Sequence, residues 1–137
     1  MHSYLAIKFQ EDASNRPLIE AIAAALEKDK ITTTVMARDY EAWGDDANAK
    51  RPSPTPEELM AATFAAIDAA DFLLVEFSEK GVGLGIEAGY AYAKHKPIVV
   101  IARVGSDISS TLRGIATKVV FYKEVGEIAA HLTNLFI

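Results

Sequence analysis

Gly81-Val82-Gly83-Leu84-Gly85-Ile86-Glu87 sets glycines at alternate positions ahead of a carboxylate, a pattern suited to holding an anion and attacking a carbon. Alternating glycines let backbone approach a ligand closely, and the free N–H groups at a helix start attract negative charge. A helix starting within these glycines would carry Glu87 in its first turn. There the dipole favours the ionised carboxylate and hence a nucleophile. The spacing is G-x-G-x-G, not the G-x-G-x-x-G of a dinucleotide fingerprint, and it follows the third apolar run instead of the first. It predicts a phosphate or sugar site of another kind. Two plainer readings stand beside this one: glycines that let a helix pack closely on a strand, and a glutamate that only complements the helix dipole.

The elements that would position this segment alternate along the chain. Tyr4 to Phe9 reads as a strand, and Gln10 to Asn15 as a polar loop. A helix from Arg16 follows, with Leu18, Ile19, Ile22, Ala23 and Leu26 on one face and Lys28-Asp29-Lys30 at its end. Ile31 to Met36 is the second strand. Arg38 to Pro56, with Trp43, Asp45, Asp46 and Pro52, is a long irregular stretch of the kind that carries function. Thr55 and Glu58 make a capping box around Pro56, which predicts a helix to Ala70. Asp71 to Phe77 is the third strand, and the helix carrying Glu87 runs to about His95. Ile98 to Ala102 is a strand covered on both faces, Val119 to Tyr122 a fifth strand, and Val125 to Phe136 a closing helix.

This alternation predicts a single-domain α/β fold over residues 1–137: a doubly wound, flavodoxin-like parallel sheet of five strands, order 2-1-3-4-5, with helices on both faces. In that order the loops after Phe9 and Phe77 face each other across the switch point, where such sheets bind ligands. The glycine segment and the Gln10 loop then belong to one site. Phe9, Gln10 and the backbone N–H groups of Gly83 and Gly85 are its expected ligand contacts.

Composition narrows the function. With 137 residues, half of them hydrophobic, and a net charge of −5, the chain lacks the basic balance of a general nucleic-acid binder. A small-molecule ligand is expected. There is no cysteine, which excludes disulfides and thiolate metal sites. No apolar run reaches the roughly 18 residues of a membrane span, and Met1-His2-Ser3-Tyr4 leads into a strand instead of a signal peptide. A cytoplasmic protein needing neither metal nor cofactor is expected. His95 reads as a partner of a helix C-terminus, and Trp43 either stacks on a base or pins its loop to the body.

Gly83-Leu84-Gly85-Ile86-Glu87-Ala88-Gly89-Tyr90-Ala91, with Lys94-His95-Lys96-Pro97-Ile98 after it, closely resembles the nucleoside 2-deoxyribosyltransferase superfamily. The likeness runs more loosely from Asp71 to Gly114. It implies that Glu87 is the nucleophile that attacks the anomeric carbon of a nucleoside or nucleotide. Tyr4 matches the aromatic residue that begins the family's first strand and is carried over as its catalytic companion. Ser109, with Ser110 beside it and the pair Arg113-Gly114 after it, resembles the phosphate-binding segment of the 2-deoxynucleoside 5-monophosphate N-hydrolases. An ST-turn capping a short helix explains Ser109 equally well.

Three positions depart from the family pattern. Thr63 stands where the family has an aspartate on the helix before the third strand, Ile7-Lys8 where a small residue ends the first strand, and Gly81 where the hydrolases bind phosphate with a serine. Ser78 is the expected substitute for that serine. The resemblance implies N-glycosidic cleavage or transfer on a nucleoside or nucleoside monophosphate, by a homodimer or larger assembly. The alternative is a non-catalytic nucleotide-binding or sensory module of the same fold. A receiver-like signalling domain is disfavoured, because Ser78-Glu79 stand where the phosphoacceptor aspartate would follow the third strand.

Overall fold

The computed structural model describes residues 1–10, 12–44 and 54–133, so Glu11, Asp45, Asp46, Pro52 and Phe136 of the sequence reading lie outside the described residues. Strands β1 (His2–Ile7), β2 (Thr32–Thr34), β3 (Phe72–Glu76), β4 (Ile98–Arg103) and β5 (Lys118–Tyr122) form one sheet in the order 2-1-3-4-5. Every neighbouring pair is parallel. The order and the doubly wound α/β class match the expectation.

Period-two alternation builds both faces of the sheet. Tyr4, Ala6, Leu73, Val75 and Val100 point to the side covered by α3 (Pro56–Ala69), α4 (Val82–Ala93) and α5 (Ser110–Ile115). Leu5, Phe72, Leu74, Val99 and Ile101 point to the side covered by α1 (Arg16–Lys28) and α6 (Ile128–Leu132). Each large apolar side chain buried this way contributes roughly 1.5–3 kcal/mol before the entropy cost of folding.

The ends of the elements follow local chemistry. Thr55 Oγ1 accepts from the Glu58 amide at 3.1 Å while Glu58 accepts from the Thr55 amide at 3.4 Å, which completes the capping box of α3. α1 ends as expected from its cations. His95 is exposed just past α4 in the left-handed region, φ 59°, with its amide bonded back to Tyr92.

Several boundaries differ from the sequence reading. β1 ends at Ile7, its last residue paired to β3 (with Glu76), so Lys8 and Phe9 leave the sheet and enter the loop. β2 keeps only its three threonines, because the Val35 amide is taken by the Asp39 carboxylate and Val35 starts the short helix α2 (Met36–Asp39). The described part of the stretch from Arg38 includes the end of α2 and a 3₁₀ turn over Ala42–Gly44. The closing segment is a 3₁₀ turn, Val125–Glu127, followed by α6.

Candidate active site

The carboxyl ends of β1 and β3 lie side by side, Ile7 opposite Glu76, and the chain leaves them toward opposite faces of the sheet. A cavity of about 500 Å³ opens at that divergence. Tyr4 lies at its base. Lys8, Phe9 and Gln10 come from the loop after β1, Glu41 and Trp43 from the segment after β2, Thr63 from α3, and Gly81 to Leu84 with Glu87 from α4. The two polar loops are thus brought to one site. Across its mouth Gln10 Nε2 donates to Glu79 Oε2 at 2.8 Å, and Lys8 Nζ stands 3.7 Å from the same oxygen.

The helix starts earlier than the glycines suggested. Gly81 is its N-cap in extended conformation and Val82 its first residue, so Gly83 and Gly85 are helical and Glu87 is the sixth helical residue. Glu87 lies beyond the first turn, where the dipole has largely faded. Burial dominates its acidity instead: it pushes the carboxyl up to about 7, and the hydrogen bond from Tyr4 pulls the other way. The dipole reading of Glu87 is therefore corrected. A group poised near neutrality is ionised in a good fraction of molecules and is more basic than an exposed carboxylate.

The Tyr4 hydroxyl donates to Glu87 Oε1 at 3.0 Å from a fully buried position on β1. Burial first, then the field of Glu87, hold its phenol well above the ordinary value, so Tyr4 remains a donor. Thr63, also buried, stands beside that phenol and offsets part of the rise. The position where an acid was expected thus holds a neutral hydroxyl beside the Tyr4–Glu87 pair. Asp68 does not replace it, since both its oxygens accept from Tyr90 Oη at 2.9 Å outside the cavity.

A Cβ at Gly83 or Gly85 would meet nothing within 4 Å, so protein packing does not demand glycine there. The room above these residues belongs to the clefts. Gly83 keeps a free amide in the first turn, whereas Gly85 is the fourth helical residue and its amide closes the helix. The Gly85 amide is therefore no ligand donor; Gly81, Val82, Gly83 and Leu84 carry the open ones, and no side chain caps them.

A second cavity of about 500 Å³ shares Gly81 and Val82 with the first. Gly85, Lys80, Ser109 and Thr111 line its polar side, over a floor that includes Phe77 and Leu112. Ser109 is the N-cap of α5, its hydroxyl accepting from the Leu112 amide at 3.4 Å, so the capping role is realised while the residue still lines the cleft. Ser110 and Arg113 are exposed and line neither cavity; Arg113 Nε turns back to the Ile108 carbonyl at 3.4 Å. Ser78 is also absent from both linings, because its hydroxyl accepts from the Arg103 amide at 2.9 Å and ties β3 to β4. These three expected contacts are not brought to the site.

Lys80, Thr111 and Glu41 escaped the sequence reading. Lys80 was signalled only by its place just before the N-cap, Thr111 by its neighbour Ser109, and Glu41 by Trp43 two residues on. Trp43 itself lines the first cavity with φ 62°, after Ala42 at φ 49°, and the Arg16 guanidinium sits 4.8 Å from its ring centre. Two successive left-handed non-glycine residues are a costly arrangement, of the kind found where a side chain must be aimed.

The fold and the site define an α/β protein with a buried Glu–Tyr pair at the switch-point cleft. No family model matches the chain. In sequence it is 28% identical over 141 residues, covering 98% of the chain and 94% of the relative, to a protein of Thermofilum pendens named "Putative 2'-deoxynucleoside 5'-phosphate N-hydrolase 1". In fold it matches the CMP N-glycosidase BcmB of Clostridium botulinum, with TM-score 0.68, 18% identity, and 96% and 97% of the two chains covered. It also matches a 2-deoxyribosyltransferase of Bacillus psychrosaccharolyticus, with TM-score 0.72, 14% identity, and 94% and 90% coverage. The two solved structures share the fold, and the Thermofilum pendens protein is similar along nearly the whole chain. No helix among the described residues is long and apolar enough to cross a membrane.

Proposed function

We propose that this protein breaks or transfers the N-glycosidic bond of a nucleoside or nucleoside 5-monophosphate, with Glu87 as the nucleophile at the anomeric carbon. The observation that carries this reading is the hydrogen bond of 3.0 Å from buried Tyr4 to a Glu87 carboxyl that lines a cavity large enough for a nucleotide. Loss of the base leaves an oxocarbenium-like sugar, which a carboxylate stabilises or captures, as in retaining glycosidases. Tyr4 holds the carboxylate in one orientation, and among the described residues no group meets its second oxygen. Trp43 offers a face for the base, and the open amides from Gly81 to Leu84, with Lys8 beside them, suit the sugar-phosphate end. Ser109 and Thr111 reach that end from the second cavity.

The neutral Thr63 beside Tyr4 favours the second reading, a nucleotide-binding module without turnover. One experiment separates them: the purified protein is incubated with nucleosides, deoxynucleosides and their monophosphates, and free base is followed by chromatography. The enzyme reading predicts release that Glu87→Gln abolishes. Binding without release, measured by calorimetry, would establish the module.

A further inference from the structure

We propose that Glu41 donates the proton taken up by the departing base, an inference that rests on the N-glycosidic reaction proposed above. Cleaving the bond from sugar to base leaves negative charge on a ring nitrogen, so a poor leaving group needs an acid within reach. Among the described residues that line the Glu87 cavity, the titratable side chains are Tyr4, Lys8, Glu41 and Glu87. Glu87 must be ionised to attack. Tyr4 has its proton on Glu87, and Lys8 is engaged at the mouth with Glu79. Glu41 is left.

Its position fits the role. Glu41 follows α2, its amide bonded to the Met36 carbonyl at 2.8 Å, and it lines the cavity with Met36, Trp43 and Met60. The lining thus includes apolar and aromatic groups on which a flat base can pack, and Lys8 stands against Gly81 at the helix start. Glu41 lines the same cavity as Tyr4 and Glu87. No hydrogen bond or counter-charge from the described residues meets it, and burial alone raises its affinity for a proton. A half-buried carboxyl without a partner among the described residues, lining the cavity that holds Glu87, is free to exchange a proton with a bound ligand.

The step balances as follows. A Glu87 oxygen forms the bond to the anomeric carbon, the bond from that carbon to the base nitrogen breaks with its electron pair leaving on the base, and the Glu41 proton goes to the base. Water then attacks the same carbon, its proton returns to the Glu41 carboxylate, and Glu87 leaves as the carboxylate. With a second base as acceptor the same groups run the first step in reverse.

The test compares two leaving groups on wild-type protein, Glu41→Gln and Glu41→Asp: the natural deoxynucleoside monophosphate turned over fastest, and p-nitrophenyl 2-deoxyriboside 5-phosphate, whose phenolate leaves without protonation. Glu41→Gln is expected to lower kcat on the nucleotide by about 10²–10⁴-fold and on the p-nitrophenyl substrate by less than about tenfold, with Glu41→Asp recovering part of the loss. A purely structural role would depress both substrates equally, and that result, or an unchanged rate on the nucleotide, overturns the proposal. If wild-type protein turns over neither substrate, the glycosidic reading itself fails.

Discussion

Two glutamates in this molecule each accept a hydrogen bond of 3.0 Å from a tyrosine, Glu87 from Tyr4 on one face of the sheet and Glu76 from Tyr122 on the other. Glu76, at the end of β3, has both oxygens occupied: Tyr122 Oη donates to one and the Ser78 amide to the other. It is 2% exposed and lines neither cavity, and the Arg103 guanidinium lies over the Tyr122 ring. Among the described residues, Glu87 has a partner on one oxygen only, and it lines an open cleft. The same pair of residue types therefore does opposite work. The fully satisfied carboxyl fixes the turn that leaves the strand, whereas the half-satisfied, desolvated one faces the cleft, as the proposed nucleophile must.

Substitution should separate the two pairs most sharply in turnover. Glu87→Gln is expected to lower base release at least about 10³-fold while preserving the fold, and Glu76→Gln to leave it within a few-fold while costing about 1–3 kcal/mol of stability. Chromatographic assay alongside urea unfolding checks both. Equal losses of activity would erase the distinction.

The next effect is in pH. With its folded pKa raised from an ordinary 4.5 to about 7, Glu87 contributes stability that is fully present below 4.5 and lost as pH rises through about 7. Relative to Glu87→Gln, wild-type protein should lose up to about 3 kcal/mol across that window. Denaturant titrations at several pH values check it, and parallel curves for the two proteins would contradict the desolvation account. Catalysis should run the other way on this limb, kcat/KM rising as Glu87 ionises and falling again as Glu41 gives up its proton.

Smaller effects come from the tyrosines. Tyr122→Phe strands a buried Glu76 oxygen and should cost about 1–3 kcal/mol, seen as a lower thermal midpoint. Tyr4→Phe removes the donor that lowers the Glu87 pKa, so the rising limb of its pH-rate profile should move to higher pH, with a smaller cost in stability.

The contrast between the pairs also marks what was legible in the sequence. Strand order was readable because apolar runs, caps and helix faces repeat over many residues, and the topology then joined the loops after β1 and β3. The place of Glu87 in the cleft was readable from its glycine-rich context. Its acidity was not, because the start of α4 at Val82 rather than after Gly85 moves it away from the dipole, and burial by distant segments sets its pKa. Ser78, Ser110 and Arg113 failed for a related reason: their types suit phosphate, but local bonds to Arg103 and Ile108 or plain exposure keep them from the clefts. Glu41 lay in an irregular stretch with no periodicity to place it, and only the packed chain brings it to the lining of the Glu87 cavity.

Trapping with a 2-fluoro-2-deoxyarabinosyl nucleotide, whose fluorine slows breakdown of a glycosyl-enzyme, tests the role of Glu87 most directly. The account predicts that intact-protein mass rises by one sugar phosphate and that peptide mapping places the adduct on Glu87, with none formed by Glu87→Gln. Base released with no adduct at any time, or an adduct on another residue, would contradict it.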